Sequence, residues 1–346
     1  MSIWFFSDPH IGLVRNSHTT VQSRSALRFE LFKAAARLIE ITGSDPLFCL
    51  GDLFDTDNND EATILQGAEI VRRCKMVLGG NHDLPNREGK LSSLQLLDQV
   101  ISDKIVCGST DEPGFGRAEG HKAVIYMVPH MATQELFEQS LMEASTDARE
   151  LSTSKPLILG LHCNYNSGLI HNDASLNLTK EKANELLEVF EFVLLGHEHE
   201  SRTLHGGKLI ILGNTHPTSF SDISDKFIWE FDDGRFTPHL IWSKEKGYLE
   251  LGWDTASFEF PDTVQFIEIT GKAPAERLSD IAQSIARLWK TYPNLLMVRN
   301  NVESDISLPE VDVAVSRTLD LPSRISHALA DSDLLPIWNH YLEVAQ

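Results

Sequence analysis

Cysteine is scarce in this chain, and its placement argues against a disulfide scaffold or a thiolate metal cluster. The four cysteines form no Cys-x-x-Cys pair, and two of them, Cys49 and Cys163, lie within apolar runs typical of buried strands. Free thiols inside a core are the usual state in a reducing compartment. We therefore predict a cytoplasmic protein.

Long apolar runs are also missing. No stretch approaches the roughly 18 consecutive apolar residues that suggest a membrane span. Residues 1–8 carry neither the basic start nor the extended apolar segment of an export signal. The sequence therefore predicts no membrane partner.

Basic residues are outnumbered, with 30 Lys and Arg against 50 Asp and Glu, for a net charge of −20. This balance argues against a broad nucleic-acid-binding face. It does not exclude nucleic acid as a substrate, because a metal centre can supply positive charge where a phosphate must lie. The length of 346 residues suits one large or two ordinary domains.

Strand and helix patterns alternate through residues 1–240, which predicts a layered α/β domain with helices covering the sheets. The segment 227–242 resembles a strand hairpin. Residues 255–303 then show a strand, an amphipathic helix and a second strand, which predicts a small second domain of α+β type. Residues 304–346 are predicted to be a helical C-terminal segment.

Polar residues cluster where the predicted strands end, next to glycine. Five motifs occur in this order: Asp8-Pro-His10, Gly51-Asp52-Leu-Phe-Asp55, Gly80-Asn81-His82-Asp83, His162, and Gly196-His197-Glu-His199. The carboxyl ends of strands in open α/β sheets form the ligand-binding edge. We expect the motifs to meet there, with the paired residues of Asp8-x-His10 and His197-x-His199 on one side of an extended chain.

The donors are carboxylates, imidazoles and an amide, without thiolate. Such ligands suit Mn²⁺, Fe or Zn²⁺ in a reactive centre rather than a closed structural zinc site. The single carboxylate of Asp52 could bridge two ions, and paired ions clamp a phosphate during in-line attack by water. Asp83 is expected to shape its turn instead of binding metal. His130 and His216, at strand ends beside proline, could line the site.

The order, residue types and glycines of these motifs resemble those of the calcineurin-like metallophosphoesterases over roughly residues 1–220. The resemblance implies a β-sandwich flanked by helices, with the second unit as a capping domain, and two divalent ions, most simply Mn²⁺. It implies that His82 contacts the phosphate or protonates the leaving oxygen and that the Asp55 carboxylate orients His82. The implied ligands are Asp8, His10, Asp52 and His199 for one ion and Asp52, Asn81, His162 and His197 for the other.

Three finer features are similar to the branch that contains the SbcD nuclease subunit and the phage recombination endonuclease subunit. These are Thr56 where protein phosphatases have arginine, the segment 128–131, and the Gly-x-x-x-Pro stretch at 213–220. The resemblance implies an exo- and endonuclease acting in DNA recombination or repair. It also implies an SbcC-type coiled-coil ATPase partner that docks on residues 322–344, and it leaves homodimerisation open.

Two alternatives remain at this level. The metal site alone also fits a small-molecule phosphodiesterase or phosphatase. A third possibility is a subunit whose main role is assembly with an ATPase.

Overall fold

The computed structural model describes residues 1–85, 89–101, 103–167, 176–255 and 259–305. The predicted partner-binding residues 322–344 lie outside these ranges. The strands are β1 (Ile3–Phe6), β2 (Leu47–Cys49), β3 (Met76–Leu78), β4 (Ile105–Val106), β5 (Gly116–Glu119), β6 (Val124–Val128), β7 (Leu157–His162), β8 (Asn164–Tyr165), β9 (Asn177–Leu178), β10 (Phe192–Gly196), β11 (Arg202–Leu204), β12 (Leu209–Ile211), β13 (Lys226–Asp232), β14 (Arg235–Trp242), β15 (Tyr248–Gly252), β16 (Phe266–Ala273) and β17 (Met297–Ser304). The helices are α1 (Val21–Thr42), α2 (Glu61–Arg73), α3 (Ser93–Asp98), α4 (Gln134–Glu150), α5 (Lys180–Leu187), α6 (Lys244–Gly247) and α7 (Leu278–Thr291).

Two six-stranded sheets form a sandwich, with the orders β14-β13-β1-β2-β3-β4 and β11-β12-β10-β7-β6-β5. The position of β1 in the sandwich explains why its sequence is wholly apolar. Its Phe5 side chain packs between the sheets with Phe48 and Ile125, whereas Trp4 and Phe6 point to the outer face. A strand buried on both faces needs no polar alternation. The layered α/β fold predicted from the sequence is confirmed.

Helices cover both outer faces of the sandwich. Helices α1, α2 and α3 pack on the first sheet, and α4 and α5 pack on the second. Helix α1 begins at Val21, where Thr20 and Ser23 form a capping box. None of the helices in the described ranges combines the length and the apolarity that crossing a bilayer would need.

A third sheet, β15-β16-β17, lies after the sandwich, and its three strands are parallel. One face packs against α7 through Ile267 and Leu288. The other face contacts α1, where Phe266 lies with Leu27 and Leu31. We call this sheet and α7 the cap. Strand β15 precedes the predicted boundary at residue 255, so the cap sheet takes in an earlier segment; the division into domains stays a prediction.

The parallel strands of both sheets end at one edge of the sandwich. Strands β1, β2 and β3 run parallel in the first sheet, as do β6, β7 and β10 in the second. The two edges are joined there, since the main-chain N–H of His197 donates to the Asp8 carboxylate at 3.0 Å. All five sequence motifs therefore lie at one end of the molecule.

Candidate metal centre

The loops that follow the strands hold their polar residues in an uncommon backbone conformation. Asp8, His10, Asp52 and His197 have φ angles of 53°, 45°, 48° and 87°. The expectation that an extended chain aligns Asp8 with His10 is therefore wrong, because both residues are left-handed and lie beyond the end of β1. Non-glycine residues in this region are strained, and such strain clusters at functional sites.

Hydrogen bonds between the loops maintain this conformation. The N–H of Asp8 donates to the carbonyl of Gly51 at 3.1 Å, and the N–H of His10 donates to that of Asp52 at 3.1 Å. Gly51 has a φ of 102°, and a Cβ there would lie 2.1 Å from Nδ1 of His162. Only glycine fits this close approach, which explains the glycine of the second motif.

The four predicted ligands of the first ion converge on one point. The Nε2 atoms of His10 and His199 lie 2.9 Å apart. Asp8 Oδ1 lies 4.0 Å from His10 Nε2, and Asp52 Oδ2 lies 3.9 Å from the same atom. The four side chains therefore direct their donor atoms inward together.

The second set converges beside the first. The Asn81 Oδ1 atom lies 3.1 Å from His162 Nε2 and 2.9 Å from His197 Nδ1. Asp52 Oδ2 lies 3.3 Å from His162 Nε2, so this carboxylate faces both sets. The structure thus brings all seven predicted metal-binding residues together, with Asp52 in the bridging position; that they bind ions stays a prediction.

The donor set fits divalent cations. Asp52 is 1% exposed, and its ion-pair neighbours among the described residues are the histidines His10, His82 and His162. A buried carboxylate without Lys or Arg is costly unless a cation compensates its charge. Three overlapping groups at this site have ligand atoms within 4.8 Å of one another.

Neighbouring groups in the centre have pKa values shifted in opposite directions. Burial disfavours the charged imidazolium of His162, but the charge and hydrogen bond of Asp52 outweigh it and raise the pKa of His162 to about 9. Burial and then the charge of His162 lower the pKa of His197 to about 4. Burial opposes ionisation of Asp52 too, yet its histidine neighbours hold the pKa of that carboxyl well below its usual range. The centre therefore stabilises charge at Asp52 and a neutral ligand at His197.

His82 differs from the metal-facing histidines. Its side chain is 41% exposed, and its Nε2 lies 4.0 Å from Asp52 Oδ2. Its Nδ1 donates to the main-chain carbonyl of Asp55 at 2.5 Å. The proton is assigned to Nδ1 because a carbonyl can only accept. Nε2 is then directed toward the centre.

The predicted role of the Asp55 carboxylate requires a correction. Asp55 Oδ1 lies 3.4 Å from Nδ1 of His10, so the carboxylate faces a predicted metal ligand. The contact with His82 is made by the Asp55 main chain instead. Asp55 thus orients His82 through its backbone, a property that its residue type does not reveal.

The two histidines considered as possible lining residues have different surroundings. His130 is buried, its Nδ1 lies 3.3 Å from the carbonyl oxygen of His162, and burial lowers its pKa to about 3. It borders a cleft of about 760 Å³ beside His82. His216 contacts the cap instead, with Nε2 3.2 Å from Gln265 Oε1. His130 therefore lines the site and His216 does not.

The carboxylates of Asp83 and Asp222 are not predicted metal ligands, but each contacts a residue of the centre, Gly80 and His199 respectively. Asp83 accepts hydrogen bonds from the N–H groups of Leu53, Phe54 and Gly80 at 3.0–3.2 Å, so it shapes the loops as the sequence predicted. Burial and the charge of Asp52 raise its pKa to about 7. Asp222 was not singled out from the sequence. The only available signal was its position just after the Gly-x-x-x-Pro stretch.

Comparison with known proteins agrees with this geometry. The profile of a family described as calcineurin-like phosphoesterase matches residues 1–201, more than half of the chain. No curated protein matches. Among solved structures, phosphopantetheinyl hydrolase (PptH) from Mycobacterium tuberculosis is similar at 13% identity and a TM-score of 0.37, over 62% of this chain and 90% of that one.

Proposed function

Because this chain belongs to the calcineurin-like phosphoesterase family, we propose that it is a metal-dependent nuclease that hydrolyses phosphodiester bonds in DNA during recombination or repair. The family implies hydrolysis of phosphate esters with divalent metals. The choice of DNA as the substrate and of Mn²⁺ as the metal goes beyond what the family implies. One observation carries the choice of a diester: the cleft beside His82 has no Lys or Arg among its described lining residues.

The charge of the substrate explains why that observation matters. A phosphate monoester carries close to two negative charges at neutral pH, and a diester carries one. The described lining of the cleft instead includes the carboxylate of Asp55 and no Lys or Arg. A lining of this composition disfavours a dianion more strongly than a monoanion. The cleft therefore supports a diester over a monoester.

The leaving group indicates the role of His82. Cleavage of DNA expels a sugar alkoxide, which is a poor leaving group unless it is protonated. His82 is exposed to the cleft and has Nε2 directed inward, while its Nδ1 is held by the Asp55 carbonyl. It is placed to contact the phosphate or to donate a proton to the leaving oxygen. His82 is accordingly our candidate for the general acid; in that role the ring is doubly protonated, keeps its Nδ1 proton on the Asp55 carbonyl and transfers its Nε2 proton to the leaving oxygen.

The seven predicted ligands would hold the two ions. Asp8, His10, Asp52 and His199 would bind one divalent cation, and Asp52, Asn81, His162 and His197 the other. When bound, such a pair neutralises phosphate oxygens and lowers the pKa of the attacking water.

The apolar residues that line the cleft favour a substrate with sugar and base groups, such as a nucleic-acid strand. Leu84 and Pro85 add apolar surface beside His82. The apolar faces of sugars and bases can pack on such surface. The net charge of −20 opposes DNA binding by the chain alone. An ATPase partner that grips DNA would remove this difficulty, and we retain it as part of the proposal.

A small-molecule phosphodiesterase is the second candidate. The same net charge and the carboxylates of Asp55 and Asp57 favour it, because a small ligand avoids extended contact with acidic surface. It shares the diester chemistry and differs in substrate size.

The test compares four substrates with Mn²⁺: end-labelled linear duplex DNA, single-stranded DNA, bis-p-nitrophenyl phosphate and p-nitrophenyl phosphate. The controls are EDTA and Asp52→Asn, with Asp233→Asn as a charge-matched variant at the opposite end of the sandwich. DNA cleavage that EDTA and Asp52→Asn abolish, with Asp233→Asn active, would support the nuclease. Cleavage of the small diester alone would support the second candidate. A preference for the monoester would contradict the diester argument.

A further inference from the structure

Asp222 contacts a metal ligand from outside the centre. Its Oδ2 lies 3.2 Å from Nδ1 of His199, while the opposite nitrogen of that ring, Nε2, faces His10. A carboxylate that accepts the Nδ1–H bond fixes the tautomer in which Nε2 is free to coordinate. It also fixes the plane of the ring. Asp222 therefore controls both the chemistry and the direction of this ligand.

The Asp222 carboxylate is itself held by a tight turn. It accepts hydrogen bonds from the N–H of Thr218 at 3.0 Å, the N–H of Ser219 at 2.8 Å and the side-chain amide of Asn214 at 2.7 Å. Burial opposes ionisation of Asp222, but the hydrogen bonds from His199 and from the N–H of Thr218 keep its pKa well below the usual range. Because each oxygen has fixed donors, the carboxylate cannot rotate without breaking several bonds.

The same turn reaches the cap through Phe220. Its ring packs edge-on against Phe266 of β16, with centroids 6.1 Å apart. The guanidinium of Arg299, on β17, lies 4.6 Å from the Phe220 centroid. A cation over an aromatic face is attracted to the ring. Phe220, two residues before Asp222, therefore packs against the cap.

Arg299 has its own fixed partners in the cap. It pairs with Glu268 at 2.7 Å, and Glu268 also accepts from the Tyr248 hydroxyl at 2.9 Å and from Asn301 at 2.9 Å. These residues come from all three strands of the cap sheet. The position of Arg299 against Phe220 therefore depends on all three strands of the sheet.

We propose that Asp222 is a positioning residue for His199, and that the cap holds it in place through Phe220 and Arg299. The cap thereby supports binding of one metal ion, the one held by His10 and His199, and leaves the other less affected. This inference rests on the metal centre of the proposed function. It does not depend on DNA being the substrate.

The experiment measures binding of Mn²⁺ to metal-free protein by calorimetry, with electron paramagnetic resonance to count bound ions. Asp222→Asn keeps the shape of the side chain and removes its charge. We expect it to weaken one of the two ions by roughly 10–100-fold while the other changes little. Phe220→Ala should weaken the same ion by a smaller factor, roughly two- to fivefold. The controls are Asp233→Asn and Phe29→Ala, both exposed.

A loss of affinity for one ion but not for the other distinguishes a positioning role of Asp222 from general destabilisation of the protein. Equal weakening of both ions, or wild-type affinity in Asp222→Asn, would overturn the role of Asp222. Wild-type affinity in Phe220→Ala would overturn the role of the cap. If metal-free Asp222→Asn does not melt cooperatively, Phe220→Ala decides alone. A wild-type protein that binds no Mn²⁺ would instead refute the metal centre of the proposed function.

Discussion

Gly80 gives the sharpest test of how closely the loops approach the centre. A Cβ at this position would lie 2.1 Å from Oδ1 of Asp52 and 2.4 Å from its backbone nitrogen. The φ angle of Gly80 is not in the left-handed region. A Gly80→Ala substitution therefore acts through collision with Asp52, without a penalty from backbone conformation.

The size of the displacement follows from the distances. The Asp52 oxygen must withdraw by about 1.3 Å to reach the 3.4 Å at which ordinary contact begins. The side chain is 1% exposed and the added Cβ also lies 2.4 Å from the Asp52 backbone nitrogen, so the backbone must move with the side chain. Overpacking of this kind costs roughly 1–3 kcal/mol in the free energy of unfolding. Misplacement of a reacting group by about 1 Å costs roughly 100-fold in rate.

The assay pairs Mn²⁺ calorimetry with hydrolysis of bis-p-nitrophenyl phosphate. We expect Gly80→Ala to reduce kcat/KM by roughly 100-fold or more and to weaken both ions, because Asp52 faces both ligand sets. Gly114→Ala is the matched control, since nothing lies within 4 Å of its Cβ. Wild-type metal affinity and turnover in a folded Gly80→Ala protein would refute the bridging position of Asp52.

Three further predictions use other parts of the molecule. His82→Ala should slow DNA cleavage by roughly 10²–10⁴-fold but slow p-nitrophenyl diester cleavage less, since that leaving group needs no proton; equal losses in both assays would contradict a general acid. The hydrogen bond from Arg28 holds the pKa of Asp60 at about 2, so its stabilisation is complete above pH 4 and is lost as pH falls toward 2. Asp60→Asn should therefore flatten the acid side of the profile of unfolding free energy against pH by at most about 1 kcal/mol, since the side chain is half exposed; an unchanged profile would contradict the pair. Phe5→Ala, which removes the ring stacked on Phe48 between the sheets, should cost roughly 3–5 kcal/mol in urea unfolding, and a loss below 1 kcal/mol would contradict a packed interface.

The sequence predicted the layered α/β core because its central strands are wholly apolar and are followed by polar residues, most of them beside glycine, whereas the sandwich arrangement was implied by the family resemblance. Runs such as β1 and β6 can only be buried on both faces, and this pattern is local enough to recognise. Helix α4 was not predicted, although Phe137, Leu141, Ala144 and Ala148 recur at helical spacing. Its many polar residues obscured that apolar stripe. The cap strand β15 was missed for a similar reason, since Glu250 interrupts it.

The candidate ligands could be predicted because their residue types and order are distinctive, whereas their orientation could not. Left-handed φ angles at Asp8 and His10 come from hydrogen bonds between distant loops, which no local pattern shows. The same limit explains Asp55, whose main chain contacts His82 while its side chain turns to His10. Asp222 acts across 23 residues of sequence, so only the folded chain reveals its contact with His199.

The acidic character of the protein and the chemistry of its centre are compatible. Two divalent ions would carry a charge of four, and the carboxylates of Asp8 and Asp52 would offset about half of it, since the other ligands are neutral as metal donors. A monoanionic diester and a hydroxide would then bring the centre close to neutrality, whereas a dianion would leave excess negative charge among acidic neighbours. The net charge of −20 over the whole chain raises the cost of binding any anion that does not reach the ions. On our proposal, selectivity for a single correctly placed diester would follow from the same imbalance that argues against a broad DNA-binding face.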